Sequence, residues 1–408
     1  MSTSVMDPGT AMMTLMTPEG KRDPYPLYEA LRAYGPLLRL GPDQVVVTGH
    51  AECFRALREP GLLSTDGPVQ DRMMPGWREH SSWVWLTKNM LFSNSPDHER
   101  YRRFFSVAFT PRRIAELRPV VEKLITELVD RLAETGADGE PVDFMAEFAF
   151  QVPMAVVGHM LGIPKEDWPS FRGPVGAITT ALEPIRDLAQ LDQGDAGMDW
   201  MAEYFTDLAA KRRAEPADDM VSEMTRARDE RGELSEEELI ANFMLLLVAG
   251  TEAPMDLIAN AVRLAVAHPE HADALREDPS LAPGYIEETL RFDPAAQALN
   301  RMAATDLEFF GVPLTAGTKV TLLIAAGNRD PRRFTDPGRF DPYRSGNHAL
   351  TLSGGAHFCL GAGLARMQSE IALPAVLRRF PALALAGEPT FRDQLVQRGF
   401  DRLPVKCG

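Results

Sequence analysis

The sequence predicts a mainly α protein with a small, segregated β region, and three observations carry that prediction. Two long segments, 111–136 and 235–268, keep apolar residues at helical spacing. Two short stretches, 37–49 and 307–327, alternate and turn like hairpins. The 32 Pro and 31 Gly are spread along the 408 residues, with no repeat or low-complexity block. Residues 21–408 are therefore expected to form one domain, after a flexible segment at 1–20.

Each element has a local reason. The first 20 residues hold no Lys or Arg, and their longest apolar stretch, AMMTLM at 11–16, is too short for a signal-peptide core. LLRLGPDQVVVTG at 37–49 reads as two short strands around a Gly-Pro-Asp turn. PRRIAELRPVVEKLITELVDRLAETG places Pro111 in a first helical turn, then Ile114, Leu117, Val121, Leu124, Leu128 and Leu132 on one face, and stops at Gly136. Ser235 and Glu238 form a capping box for a helix that His268-Pro269 ends, about 50 Å long at 1.5 Å per residue. Inside it, LLVAGTEAPM (246–255) sets a glycine, a carboxylate and a proline where proline costs about 3 kcal/mol. Pro254 offers no N–H to the Gly250 carbonyl, so the helix is expected to open there and hold water. The plainer alternative is a packing kink, with Glu252 a buried, paired carboxylate.

Composition excludes several classes. A net charge of −15 disfavours nucleic acid and anionic membranes as partners. The apolar run FMLLLVAG (243–250) is far below spanning length, and a cytoplasmic protein is expected. Three scattered cysteines, Cys53, Cys359 and Cys407, without CxxC pairs, argue against a disulfide framework or a structural zinc site.

The chemistry concentrates in LSGGAHFCLGAGLARMQSE, residues 352–370. Its glycines let a flat group approach the backbone, and a helix starting just after Cys359 turns its positive end toward a thiolate. A lone cysteine is more often structural, but this spacing favours a metal-bound sulfur. The stretch resembles the cysteine-ligand loop of the cytochrome P450 superfamily, Phe-Gly-x-Gly-x-His-x-Cys-x-Gly. Gly355, His357, Cys359 and Gly361 match, whereas Leu352 and Ser353 stand in place of Phe and Gly.

Other segments extend the resemblance over about residues 24–404. Glu288 and Arg291 in EETLRF look like the family's Glu-x-x-Arg pair, and Arg339 in FTDPGRFDPYR matches the arginine that joins it. In SPDHERYRRFFSVAFTPRR, His98 and Arg102 fall where the family meets a haem propionate, and Arg301 and His357 match two further propionate contacts. The resemblance implies the triangular-prism P450 fold and haem b, iron protoporphyrin IX, with Cys359 as thiolate ligand. It also implies O2 as cosubstrate and insertion of one oxygen atom into a small-molecule C–H bond. Ala249, Gly250, Thr251 and Glu252 match the motif that manages proton delivery, but Ala253 replaces its alcohol. Glu252 is then expected to work with water or a substrate hydroxyl.

By the same register the substrate contacts would be Trp85, Met244, Leu245 and Ala249, with Gln297, Ala298 and Phe400. They are largely apolar, which suits a bulky polyketide or macrolide in specialised-metabolite biosynthesis. The alternatives are a haem-thiolate enzyme that couples, desaturates or rearranges its substrate without inserting oxygen, and a haem sensor or carrier. SSWVWLTKNM (81–90) and the 179–182 region match substrate-covering loops, which disfavours the sensor. A monomer is expected, taking electrons from a separate ferredoxin and ferredoxin reductase. Arg103, Arg112 and Arg113 are the candidate cations for the acidic ferredoxin, although a basic run is more often a solvated face.

Overall fold

The structure is a computed structural model that describes residues 6–184 and 187–408. Ser235 starts the helix that organises it. The Glu238 N–H donates to Ser235 Oγ at 3.1 Å, and the Ser235 N–H donates to the Glu238 carboxylate at 2.7 Å. The helix runs over Glu236–Ala267 and stops at His268, ahead of Pro269. By length and composition it could cross a membrane, yet 72% of its most apolar window is buried inside the protein, which marks a core helix. Helices Gln151–Leu161, Asp192–Ala214, Ala282–Phe292 and Ala362–Arg379 pack around it.

Pro254 does not open this central helix, which stays helical through Gly250–Pro254. The expected water-holding break is therefore corrected. Pro254 is buried, and it costs one backbone donor without ending the helix. Gly250 has a packing reason of its own: a Cβ there would lie 2.8 Å from Cγ2 of Val157 on the neighbouring helix.

The Pro111–Thr135 helix forms as its sequence predicts, with Thr110 as N-cap and Gly136 at its end. Its deepest residues are Val121, Ile125, Val129 and Leu132, while Ile114, Leu117, Leu124 and Leu128 lie half-buried at the margin. The buried stripe is thus turned slightly from the expected one, toward the core the helix meets.

Five strands form the main sheet, in the order Leu37–Gly41, Gln44–Val47, Lys319–Leu323, Ala298–Ala303 and Leu62–Leu63. The first two make the antiparallel hairpin read from the sequence. Gln44–Val47 and Lys319–Leu323 pair in parallel, which needs the long intervening chain. In 307–327, Leu307–Phe309 and Val312–Leu314 form a hairpin, and the next strand crosses into the main sheet.

The expected flexible segment at 1–20 is corrected for residues 8–20; residues 1–5 lie outside the described ones. Asp7 and Thr17 cap short helices over Pro8–Leu15 and Pro18–Arg22. Ala11 and Leu15 are fully buried in a cluster with Tyr28 and Leu31. Distant parts of the chain hold this region: Lys21 Nζ meets Asp393 at 2.9 Å, the Tyr25 hydroxyl donates to Asp293 at 2.6 Å, and Arg398 reaches the Arg22 carbonyl at 3.0 Å.

Under the ligand loop, Arg291 donates to both Glu288 oxygens, at 2.8 and 2.6 Å, and both side chains are fully buried. The third arginine is Arg344, not Arg339. Arg344 Nε reaches Glu288 at 3.3 Å with its side chain 10% exposed, whereas the Arg339 side chain is 70% exposed and only its carbonyl accepts from Arg291 and Arg344. Arg344→Ala should therefore cost about 2 kcal/mol or more in denaturant unfolding, through lost charge-assisted hydrogen bonds. Arg339→Ala should stay within about 0.5 kcal/mol of the parent.

Candidate functional site: a cysteine beside an unanswered cationic cluster

Two residues turn the chain before Cys359, Ser353 at φ +62° and Gly355 at φ +63°. Gly355 is needed twice over, because a Cβ there would also lie 2.6 Å from the Leu57 carbonyl oxygen. Ser353 takes a glycine-type conformation with a side chain attached, and its Oγ is buried without a partner. This is where the sequence departs from the family pattern. The turn lets the Cys359 N–H donate to the Leu352 carbonyl at 2.9 Å, and the Ala362–Arg379 helix begins just beyond. Burial pushes the Cys359 thiol up, while the Gly361 N–H, Arg102 and Arg366 act in the opposite direction, toward thiolate.

The structure brings His98, Arg102, Arg301 and His357 together beside this loop. The two imidazole centroids are 4.1 Å apart, and Arg102 Nη1 donates to the Phe358 carbonyl at 2.5 Å. Arg301 is 7% exposed, and its hydrogen bond is to the Asn300 carbonyl at 2.9 Å. Burial and then the neighbouring His98, Arg301 and Arg102 push His357 down to about 3. Burial alone lowers Arg301 to about 10, and burial followed by Arg102 lowers His98. Among the described residues neither arginine has a carboxylate partner. Buried cations without anions are unfavourable, and a group bearing two carboxylates would answer them. With Cys359 alongside, the donor set fits haem: Cys359 for the iron, and His98, Arg102, Arg301 and His357 for the propionates.

On the central helix, Ala249 and Ala253 are exposed within a mostly buried stretch, with Leu245 half-buried one turn earlier. They form an open stripe at i, i+4 spacing. Thr251 is buried, its hydroxyl without a partner. Glu252 is buried and ion-paired with Arg392, as in the plainer alternative from the sequence.

The expected substrate contacts divide. Leu245, Ala249 and Trp85 keep accessible surface. Met244, Ala298 and Phe400 are packed into apolar core, Phe400 against Phe391 at 4.7 Å. Gln297 is engaged at both ends of its amide, accepting from the Tyr28 hydroxyl at 3.0 Å and donating to the Pro294 carbonyl at 2.6 Å. These four are corrected from substrate contacts to packing groups: Met244 and Phe400 face the main core, Ala298 joins the cluster of the N-terminal helices, and Tyr28 of those helices holds Gln297. Sequence reasoning missed Arg392 and Asp256. Asp256, one turn after Glu252, was visible by spacing; Arg392, 140 positions away, gave no local signal.

Two measurements follow from this geometry. Arg301→Met should weaken haem retention about tenfold or more, the effect of one charge-assisted hydrogen bond. The same change should leave the haem-free protein as stable or more so in thermal unfolding, since an unpaired buried cation is gone. Ser353→Gly should raise stability by about 0.5–1 kcal/mol by relieving the left-handed turn, and by more than Ser353→Ala, which keeps the backbone conformation.

Comparison with known proteins shows the family. The Cytochrome P450 family model matches residues 10–169 and 194–397. The chain is 38% identical to a vitamin D(3) 25-hydroxylase of Pseudonocardia autotrophica, covering 98% of both chains. It is 34% identical to the 6-deoxyerythronolide B hydroxylase of Saccharopolyspora erythraea, covering 94% of this chain and 96% of that one. Its fold superposes on ligand-free Mycobacterium smegmatis CYP164A2 with a TM-score of 0.88 at 34% identity, covering 98% of this chain and 100% of that one. From the cysteine loop, the cationic cluster and these matches together, the chain belongs to the cytochrome P450 family and is a monooxygenase of that family.

Proposed function

We propose that the protein hydroxylates a bulky, mostly apolar small molecule that itself carries a hydroxyl group, of the polyketide or macrolide kind. Ala253 carries this reading. It stands on the open stripe, in the register of the family's alcohol, and leaves both a missing donor and the space of a side chain. A substrate hydroxyl or a water held by one would supply that donor. Relatives named for hydroxylating 6-deoxyerythronolide B and vitamin D(3) support a large, apolar substrate.

When bound, haem supplies the reductive activation of dioxygen. The chain does the rest. Cys359 provides the sulfur, held by the Leu352 carbonyl and the adjoining helix. His98, Arg102, Arg301 and His357 would hold the two carboxylates of the cofactor. Leu245, Ala249 and Trp85 offer the substrate an apolar surface and exclude water. Glu252, ion-paired with Arg392, is the carboxylate that passes protons inward when that pairing loosens and it can turn.

Electrons would arrive from an acidic ferredoxin on the cysteine side. Of the three expected cations, Arg112 pairs with Glu116 at 2.9 Å and Arg113 grips Glu223 at 2.5 and 2.9 Å, so both are partly neutralised. Arg103 is exposed, and Phe358 beside the cysteine is 42% exposed. These two are the better docking candidates, with Arg58, which lies along Gly354 and Gly355.

Two tests bear on this. Ala253→Thr should leave product per reductant similar or lower, whereas substrate analogues lacking single hydroxyls should divert reductant to peroxide. A sharp gain in coupling with the threonine would overturn the reading, and product analysis separates hydroxylation from desaturation or coupling. Arg103→Glu should slow reduction by an acidic ferredoxin about tenfold at low salt and much less at high salt. Arg112→Glu should do less, because Glu116 already screens that charge.

A further inference from the structure

Glu252 and Asp256 stand one turn apart on the central helix and share the guanidinium of Arg392. Glu252 pairs with Nη1 and Asp256 with Nη2. Asp256 is fully buried; Oδ2 also accepts from Gln397 Nε2 at 3.2 Å, and Oδ1 has no partner. The Arg392 N–H donates to the Gly399 carbonyl at 3.0 Å, closing a loop over the pair. That loop is fitted to the cluster, since a Cβ at Gly399 would collide with both Asp256 and Arg392. The groups facing Asp256 are Glu252 from its own helix, and Arg392 and Gln397 from the loop.

Two buried carboxylates on one guanidinium carry an uncompensated negative charge if both are ionised. The cluster lowers that cost by keeping one proton. Asp256 is the better place for it, because its free Oδ1 is costly as a carboxylate oxygen and cheaper as part of a neutral carboxyl. We propose that Asp256 is a positioning residue for proton handling: it holds the cluster's retained proton and, through the shared Arg392, sets how firmly Glu252 stays in its ion pair. This rests on the proposed proton-delivering role of Glu252. When Asp256 is neutral, Arg392 belongs to Glu252; when Asp256 ionises, it competes for the guanidinium and frees Glu252 to move. Burial lifts the Asp256 carboxyl to about 7 against the pull of Arg392, with Glu252 adding to the rise. The competition therefore switches in the working range.

The test uses the haem-loaded protein and its Asp256→Asn and Glu252→Gln variants. Asp256 binds its proton more tightly folded than unfolded. Its contribution to stability is thus present in acid and lost as pH rises through about 7. Wild type should therefore lose melting temperature relative to Asp256→Asn over that rise. A carboxyl infrared band should fade over the same range and be missing from Asp256→Asn. Coupling in wild type should rise with pH across the transition. In Asp256→Asn it should be flat and about threefold or more lower, with haem content and substrate-induced spectral shift unchanged. If Asp256→Asn keeps the wild-type pH profile while Glu252→Gln is uncoupled, Asp256 is a packing group and the proposal fails alone. If Glu252→Gln is itself fully coupled, the role of Glu252 fails and the proposal with it. Should Asp256→Asn not fold, Gln397→Leu removes the other donor to Asp256 and should move the infrared transition to higher pH; an unmoved transition overturns the proposal.

Discussion

A single buried arginine holds the floor of the site together. All five N–H groups of Arg291 are engaged: two on Glu288, and the others on the carbonyls of Asn328, Pro337 and Arg339. Glu288 in turn accepts from the Asp341 N–H, Arg344 and Asn347. Asn328 passes the constraint forward, accepting from the Leu350 N–H at 2.7 Å and donating to Thr351 Oγ1 at 2.9 Å. The next residue, Leu352, supplies the carbonyl that holds the Cys359 N–H. A network buried this completely has few alternative arrangements, so the cysteine loop inherits a fixed starting point and can carry a strained Ser353.

Charge is distributed against the grain of the whole molecule. The chain carries a net −15, yet the cysteine side gathers His98, Arg102, Arg301 and His357, and among the described residues neither arginine is ion-paired with an acid. Across the open stripe of Ala249 and Ala253 the imbalance reverses, with two carboxylates on Arg392. One local surplus suits a dicarboxylate ligand and the other suits keeping a proton. Burial strengthens both, most at His98, Arg301 and Asp256, where little water remains to screen the charge.

Much of this was legible in the sequence, and the limits have physical causes. The capping box at Ser235, the Pro111 helix and the Gly355-to-Gly361 spacing are local patterns, and local chemistry forms them. The sequence misleads where distant chain decides. Arg339 and Arg344 lie in one short stretch, and only the packing of the Phe334–Arg344 segment selects which side chain turns inward. Pro254 suggested a break that the surrounding helices suppress. Gln297 occupied a plausible substrate register until the N-terminal helix claimed its amide. Arg392 was silent, since nothing in its neighbours shows that it reaches Glu252 and Asp256.

The tie between the first helices and the last loop has a consequence for how the molecule is made. Tyr25 and Tyr28 find their partners 268 and 269 positions later, and Lys21 and Arg22 find theirs 372 and 376 positions later. During synthesis the first thirty or so residues must leave the ribosome long before these distant partners exist. Ala11, Leu15 and Leu31 would then have only the near half of their cluster, Tyr28, Leu38 and Val46, for a long interval in which chaperones or misassociation compete for them. Completion of this fold is therefore a late event: the N-terminal helices gain their last polar partners only when the loop carrying Asp393 and Arg398 arrives.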